Sequence, residues 1–166
     1  MNRFTPSPNF SPGWKREPIG VIIHWTAGKY LSSVEWMLNK QARASAHWVV
    51  NFDGDRKQLV KTLDRAWHAG VSETKYGPNC NDYTFGIELV GPPSMVGLTG
   101  WDMRQLDMAA AICRMLKQRY ASICFITDHS TVAPGRKIDV KKHQKPQDKF
   151  PWEQFVKMTG IPEYVP

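Results

Sequence analysis

Short apolar runs that suit buried strands alternate along this chain with segments that have the spacing of amphipathic helices. The strand-type runs are GVIIHW (20–25), TFGIELV (84–90) and SICFIT (122–127), each of ordinary strand length. Residues 46–52 and 57–63 flank the turn Asp53-Gly54-Asp55, which predicts a hairpin. This alternation favours an α/β domain with a central mixed β-sheet and helices packed on its faces.

The helices are predicted from capping residues and apolar periodicity. Ser32 with Glu35 three residues later forms a capping-box pattern, which predicts a helix from there to about Arg43. Asp102 with Gln105 predicts the start of the longest helix in the same way. A terminal helix is expected around Trp152–Met158, where it would close the domain.

The length of 166 residues suits a single domain with its own core. Residues 1–18 are rich in proline and serine and are predicted to be an irregular lead-in, so the main domain is expected to span 19–166. Arg3 is followed by prolines at positions 6, 8 and 12 rather than by the apolar stretch of a signal peptide. The chain also lacks an apolar run of about 18 residues. We therefore expect a soluble monomer that is made in the cytoplasm and does not insert into membranes.

The charge of the chain is strongly basic. Lysine and arginine number 22 against 15 acidic residues, which gives a formal charge of +7, and much of the excess lies in residues 136–149. Such an excess favours an anionic partner, for example a membrane surface or an acidic cell-wall polymer, although a solvated loop without a partner explains it equally well. Nucleic acid is not expected, because no recognised binding motif accompanies the charge.

Three chemically active residues stand at or just after the ends of predicted strands, namely His24, Glu88 and His129. Ligand crevices in such sheets lie beyond the carboxyl ends of the strands, so the three are expected to meet in one cleft. Asp139 follows His129 closely in sequence. Two imidazoles and a carboxylate form the ligand set of an open zinc site, in which water takes the fourth position. The residues thus predict a zinc-dependent hydrolase.

Five sequence blocks carry a resemblance to a known family. In chain order they are IIHWTAG (22–28), SAHWVVNFDGD (45–55), AWHAG (66–70), NCNDYTFGIELVG (79–91) and HSTVAPGRKID (129–139). They resemble the blocks of type-2 N-acetylmuramoyl-L-alanine amidases, whose fold also includes the peptidoglycan-recognition proteins. The blocks span most of the chain. Two positions depart from relatives: Ala46 stands where some phage members have tyrosine, and Val140-Lys141 replaces a frequent Pro-Gly.

The resemblance implies that His24, His129 and Asp139 bind Zn²⁺ and that the enzyme cuts the amide between the lactyl group of N-acetylmuramic acid and L-alanine. It also implies that Glu88 and Lys137 act in catalysis. A carboxylate such as Glu88 can take a proton from the attacking water and return one to the leaving amine. The ammonium of Lys137 can stabilise the oxyanion. Which of the two moves the proton is left open by the sequence.

Further residues are candidates for substrate contact. His68 and Trp67 lie in the AWHAG block and could line the cleft, while a structural role for His68 is equally compatible with the sequence. Trp25 could stack on a sugar ring or belong to the core. His47, inside a strand pattern, is predicted to be a core or supporting residue, and His143, among lysines, a solvated one.

Three functions remain open at this stage. The basic charge favours a phage-type endolysin that degrades bacterial peptidoglycan after release from the cell. The alternative is a cytoplasmic recycling amidase that acts on soluble anhydromuropeptides. A binding module of the same fold without catalysis is less favoured, because such modules are expected to lose a metal ligand and all three positions are filled here.

Overall fold

A central sheet of five strands organises the computed structural model, which describes residues 4–142 and 145–166. The strands are β1 Gly20–Trp25, β2 Trp48–Val50, β3 Arg56–Gln58, β4 Thr84–Leu89 and β5 Phe125–Asp128. Their order across the sheet is β3-β2-β4-β1-β5. All neighbours are parallel except β2 and β3, which form the predicted antiparallel hairpin. The predicted mixed α/β architecture is therefore confirmed.

Four α-helices accompany the sheet within the described residues: α1 Tyr30–Leu38, α2 Met103–Arg119, α3 His129–Val132 and α4 Trp152–Thr159. Short 3₁₀ helices occur at Lys40–Ala42, Cys80–Asp82, Pro93–Val96 and Pro146–Asp148. Two small strand pairs join Phe10–Ser11 to Arg65–Ala66 and Glu73–Thr74 to Gly77–Pro78. Among the residues described, no helix combines the length and the apolar composition needed to cross a lipid bilayer.

Each face of the sheet is covered by different elements. Helices α2 and α4 pack on one face, where side chains such as Leu116 and Phe155 join Ile23 and Ile87 in a fully buried core. Helix α1 packs on the opposite face, against Val49. Burial of each large aliphatic side chain contributes roughly 1.5–3 kcal/mol, so the apolar face beneath α2 anchors the sheet. The other face remains available for polar side chains at the strand ends.

The predicted start of the first helix is wrong by three residues, because Lys29 and not Ser32 is the N-cap. Helix α1 begins at Tyr30, and the hydroxyls of Ser32 and Ser33 donate to the carbonyl of Lys29 at 3.0 and 2.8 Å instead of capping backbone N–H groups. The α-helix also ends earlier than predicted, at Leu38. A serine inside the first turn can satisfy its hydroxyl on a preceding carbonyl, so the spacing alone did not identify a cap.

For α2, the prediction that Asp102 caps the helix is confirmed, and the prediction that Gln105 is its capping-box partner is wrong. The Asp102 carboxylate accepts the Arg104 backbone N–H at 2.8 Å. Gln105 does not return to the cap. Its fully buried side chain donates to the carbonyls of Val50 and Val90, at 2.9 and 3.0 Å. Gln105 thus ties α2 to the carboxyl ends of two strands.

The terminal segments of the described chain lie along the two edges of the sheet. Thr5 donates its backbone N–H to the carbonyl of Gln58 in edge strand β3, at 2.9 Å. On the other edge, Ile126 in β5 donates to Pro162 at 2.9 Å and accepts from Tyr164 at 2.8 Å. Residues 4–18 are mostly irregular and pack closely on the domain, since the side chain of Asn9 is buried.

Candidate metal centre and cleft

Parallel strands bring the predicted site residues to one edge of the sheet. His24 and Glu88 are register partners near the carboxyl ends of β1 and β4, and His129 directly follows β5. Asp139 comes from the loop after α3. The carboxylate of Asp128 holds this loop, because it accepts the backbone N–H of Val140 at 3.0 Å. Residues far apart in the sequence therefore meet at one point.

Three ligand atoms converge in the arrangement that a tetrahedral metal ion requires. Nδ1 of His24 lies 2.9 Å from Nδ1 of His129, which lies 3.2 Å from Oδ2 of Asp139. The third separation, from His24 Nδ1 to Asp139 Oδ2, is 3.6 Å. Zinc with ligands at about 2.0–2.1 Å has ligand–ligand edges of roughly 3.3 Å in a tetrahedron. The three buried residues fit one face of such a tetrahedron.

Hydrogen bonds on the far side of each imidazole assign its tautomer. A carbonyl oxygen only accepts, so Nε2 of His129, 3.0 Å from the Ala69 carbonyl oxygen, carries the proton. Nε2 of His68 likewise donates to the Thr84 carbonyl at 3.0 Å. Nδ1 of His68 must then accept from Nε2 of His24, 3.0 Å away. Both His24 and His129 consequently present an unprotonated Nδ1 to the same point.

Two lone pairs and a carboxylate oxygen that face one another repel unless a cation lies between them. This donor set fits zinc, whose histidine ligands donate their second ring N–H to a supporting acceptor. Burial, followed by the charge of His129, lowers the pKa of His24 to about 4. The two imidazoles are thus in the protonation state that binds metals.

Glu88 and Lys137 line the same cleft, which has a volume of about 260 Å³. Oε2 of Glu88 is buried and has no hydrogen-bond partner among the residues described. Burial raises the pKa of Glu88 to about 8; repulsion from Asp139 adds to the rise, and the charge of Lys137 opposes it. A carboxyl group with such a pKa and one unpartnered oxygen suits proton transfer near neutral pH.

Three tryptophans line the cleft. Trp25 and Trp67 were predicted from the sequence, and Trp36 on α1 was not. The indole of Trp36 is 58% exposed, although neighbouring Met37 is buried. The signal for Trp36 was a large aromatic residue outside the apolar stripe of its helix, which by itself does not identify a cleft. Indole rings at a cleft rim are suited to stacking on sugar or peptide groups.

His68 lies beneath the metal-binding residues and is 8% exposed. Its imidazole borders the cleft, and both of its ring nitrogens are engaged by His24 and Thr84. This placement makes it a support for His24, while its predicted contact with substrate stays a prediction. His47 is fully buried between the Gly86 N–H and the Asp64 carbonyl, so its prediction as a core residue is confirmed. His143 lies outside the described residues.

The His68 ring packs against Gly86 so closely that no side chain fits at residue 86. Replacement of this glycine tests the packing. A Cβ at residue 86 would lie 2.3 Å from Cγ of His68. We expect Gly86→Ala to lower the free energy of unfolding by about 1–3 kcal/mol, as overpacking in a core does, and to weaken zinc binding. Gly100→Ala is the matched control, because a Cβ there meets no atom within 4 Å. Chemical denaturation measures both variants, and equal stabilities would contradict the assignment.

Comparison with known proteins agrees with this geometry. Residues 14–146 match a family model described as N-acetylmuramoyl-L-alanine amidase. The 1,6-anhydro-N-acetylmuramyl-L-alanine amidase AmpD of Salmonella typhimurium is 35% identical over 120 residues, which cover 72% of this chain and 59% of that relative. The chain therefore matches about three fifths of the length of this curated relative.

Solved structures are similar over nearly the whole chain. A selenomethionine derivative of AmpD superposes with a TM-score of 0.72 at 27% identity, covering 94% of this chain and 93% of the other. The endolysin LysCS from Clostridium intestinale shares the fold, with a TM-score of 0.66 at 17% identity and 97% coverage of both chains. Because the family model matches residues 14–146, which include the central sheet and the three converging residues, the chain belongs to the type-2 N-acetylmuramoyl-L-alanine amidase family.

Proposed function

We propose that this chain is a zinc-dependent amidase that hydrolyses the bond between the lactyl group of N-acetylmuramic acid and L-alanine. The observation that carries the proposal is the convergence of His24, His129 and Asp139 in the cleft that Glu88 also lines, with Oε2 of Glu88 buried and unpartnered among the described residues. A binding module without catalysis would not need that carboxyl group in a cleft next to three complete ligand positions. Catalysis is therefore the better-supported function.

The proposed reaction divides its tasks among a few residues. His24, His129 and Asp139 would hold the ion, which when bound supplies a Lewis acid for the amide carbonyl and lowers the pKa of water to about 7. Glu88 takes the proton of the attacking water, because it lines the cleft and its buried Oε2 has no hydrogen-bond partner among the described residues. The same carboxyl then gives a proton to the leaving amine of L-alanine.

Lys137 is assigned the task of stabilising the oxyanion that forms on the carbonyl oxygen. It borders the cleft together with Asp139, and its charge influences Glu88 and His24. A fixed ammonium near the reacting carbonyl stabilises negative charge that develops on the oxygen in the transition state. Trp25 and Trp67 are proposed to contact the sugar or the peptide from the walls of the cleft.

Soluble anhydromuropeptides are the proposed substrates, and their recycling inside the cell is the proposed setting. The curated relative with 35% identity is named for a 1,6-anhydro-N-acetylmuramyl substrate, whereas the endolysin shares the fold at 17% identity. The basic charge had favoured the wall as substrate. Within the basic segment of residues 136–149, Lys141 is already paired inside the molecule, since its Nζ lies 2.7 Å from Glu163 and 3.9 Å from Asp128.

The bond that is cut can be identified from its products. We expect an anhydromuramyl peptide to release a peptide with a free amino-terminal L-alanine, detected by end-group labelling and mass spectrometry. Digestion of purified peptidoglycan should give no new reducing ends, because cleavage of sugar linkages depends on a pair of carboxyl groups. Reducing ends, or another amino acid at the new terminus, would show that a different bond is cut.

The same assay separates the two substrate classes. At equal concentrations of cleavable bonds, we expect the initial rate of alanine release to be higher from the soluble anhydromuropeptide than from intact sacculi. Heat-treated protein serves as the blank on both substrates. Faster release of alanine from sacculi would favour the endolysin function over the recycling function, with the chemistry of the site unchanged.

A further inference from the structure

The loop of Trp67–Gly70 supplies the outer hydrogen-bond partner of both histidines of the metal centre. The side chain of His68 accepts from Nε2 of His24 at 3.0 Å, and the carbonyl of Ala69 accepts from Nε2 of His129 at 3.0 Å. Two consecutive residues thus assign the tautomers of two ligands that come from different strands. The position of this loop therefore decides whether both Nδ1 atoms point at the metal.

Asn81 fixes this loop from outside the metal centre. Its Oδ1 accepts the backbone N–H of His68 at 3.0 Å and the backbone N–H of Ala69 at 2.7 Å. A single side-chain oxygen thereby holds the two residues that support His24 and His129. Asn81 belongs to the NCND sequence of residues 79–82, whose last three residues form the 3₁₀ helix Cys80–Asp82, one residue before β4.

Other residues also contact the Trp67–Gly70 loop, but Asn81 binds its middle. The Ser45 hydroxyl accepts from the N–H of Trp67 at 3.0 Å, and Nη2 of Arg136 donates to the carbonyls of Ala69 and Val71, both at 2.7 Å. These contacts hold the two ends of the loop. The N–H groups of His68 and Ala69, between them, are both bound by Asn81.

We propose that Asn81 is a positioning residue that sets the zinc affinity of the site by fixing the Trp67–Gly70 loop. The inference rests on the proposed zinc-dependent function. Without the Asn81 oxygen, two buried N–H groups lose their acceptor and the loop can shift. The Nδ1 atoms of His24 and His129 then lose the orientation that makes them ligands. Loss of an outer partner of a metal ligand typically weakens metal binding about 10–100-fold.

The test compares zinc affinity in four proteins, measured by competition between the protein and a chromophoric chelator. We expect Asn81→Ala to raise the dissociation constant of Zn²⁺ by about 10–100-fold. Asn81→Asp keeps an oxygen that accepts both N–H groups, so it should bind zinc as the wild type does. Asn79→Gly is the control from the same motif, because Asn79 has φ 57°, which glycine adopts freely.

A second measurement guards against simple misfolding. The absorption spectrum of bound Co²⁺ reports ligand geometry, and we expect this spectrum to change in Asn81→Ala and to stay as in wild type in Asn81→Asp. The circular dichroism spectrum of both variants should equal that of the wild type. Equal zinc affinity in Asn81→Ala and wild type would overturn the proposal, and so would an equal loss in Asn81→Asp. The product assay is read separately. Tight zinc binding without release of alanine would refute the amidase function and leave the role of Asn81 standing.

Discussion

Glu88→Gln is expected to lower kcat by about 10²–10⁴-fold, which is the usual contribution of a general acid–base group. Glutamine has nearly the same shape as glutamate but cannot take a proton from water or return one to the leaving amine. The side chain of residue 88 is not among the three converging ligands, so the zinc content of the variant should equal that of the wild type. Initial rates on a soluble anhydromuropeptide, with metal analysis of the same samples, measure both quantities.

Glu153→Gln is the matched control, because Glu153 is an exposed residue of α4, which packs on the face of the sheet remote from the cleft. Its turnover should stay within a factor of about two of wild type, as expected for a surface substitution. Turnover of Glu88→Gln close to that of the wild type would remove the proton-transfer role from Glu88 and leave Lys137 as the remaining candidate. Loss of zinc from Glu88→Gln would instead assign that residue to the metal centre.

Removal of the metal is expected to abolish hydrolysis and to lower the melting temperature. In the proposed reaction the ion would polarise the amide carbonyl and lower the pKa of the attacking water, so activity should depend on it. Stability depends on it because the ion binds the folded chain: at a free zinc concentration of 1,000 times Kd the gain is about 4 kcal/mol. For a domain of this size, such a change corresponds to a shift of roughly 10 °C. Dialysis against a chelator, followed by addition of zinc, should reverse both effects in scanning calorimetry and in the product assay.

His129→Ala provides the control for the chelator. The variant lacks one of the three converging ligands, so its melting temperature should respond little to either chelator or zinc. Full activity of the metal-free wild type would exclude the metal-dependent mechanism. A wild-type melting temperature that does not change with zinc would show that the three ligands do not bind the ion in the folded protein.

The positions of His24, Glu88 and His129 at strand ends were predictable because their strands are short, apolar and clearly bounded. Parallel strands of that kind place their carboxyl ends together, and the structure has this arrangement. The family follows from ordered sequence blocks and is confirmed by the match over residues 14–146. The catalytic and ligand roles of the individual residues stay predictions that the variants above test.

Other features depended on tertiary contacts that no local pattern contains. The AWHAG block identified His68 as a residue of interest, but its bond to His24 depends on the close approach that Gly86 permits. Gln105 fits a capping pattern and instead binds two strand carbonyls on the neighbouring sheet. Trp36 lies on a helix whose boundary was misplaced. For His68 and Gln105 a partner distant in sequence decided the outcome, whereas the start of the helix that carries Trp36 was decided by local contacts of Ser32 and Ser33 with Lys29.

The terminal segments of the chain also affect how the molecule can meet its own copies. An uncovered edge strand can accept a strand from another chain and so begin a fibre. Here the segment around Thr5 occupies part of one edge, and the segment around Tyr164 occupies part of the other. Strand addition over the covered part of an edge would require the segment there to detach first. A stiff linker attached close to Thr5 or to Tyr164 could pull the protecting segment away from the edge that it covers.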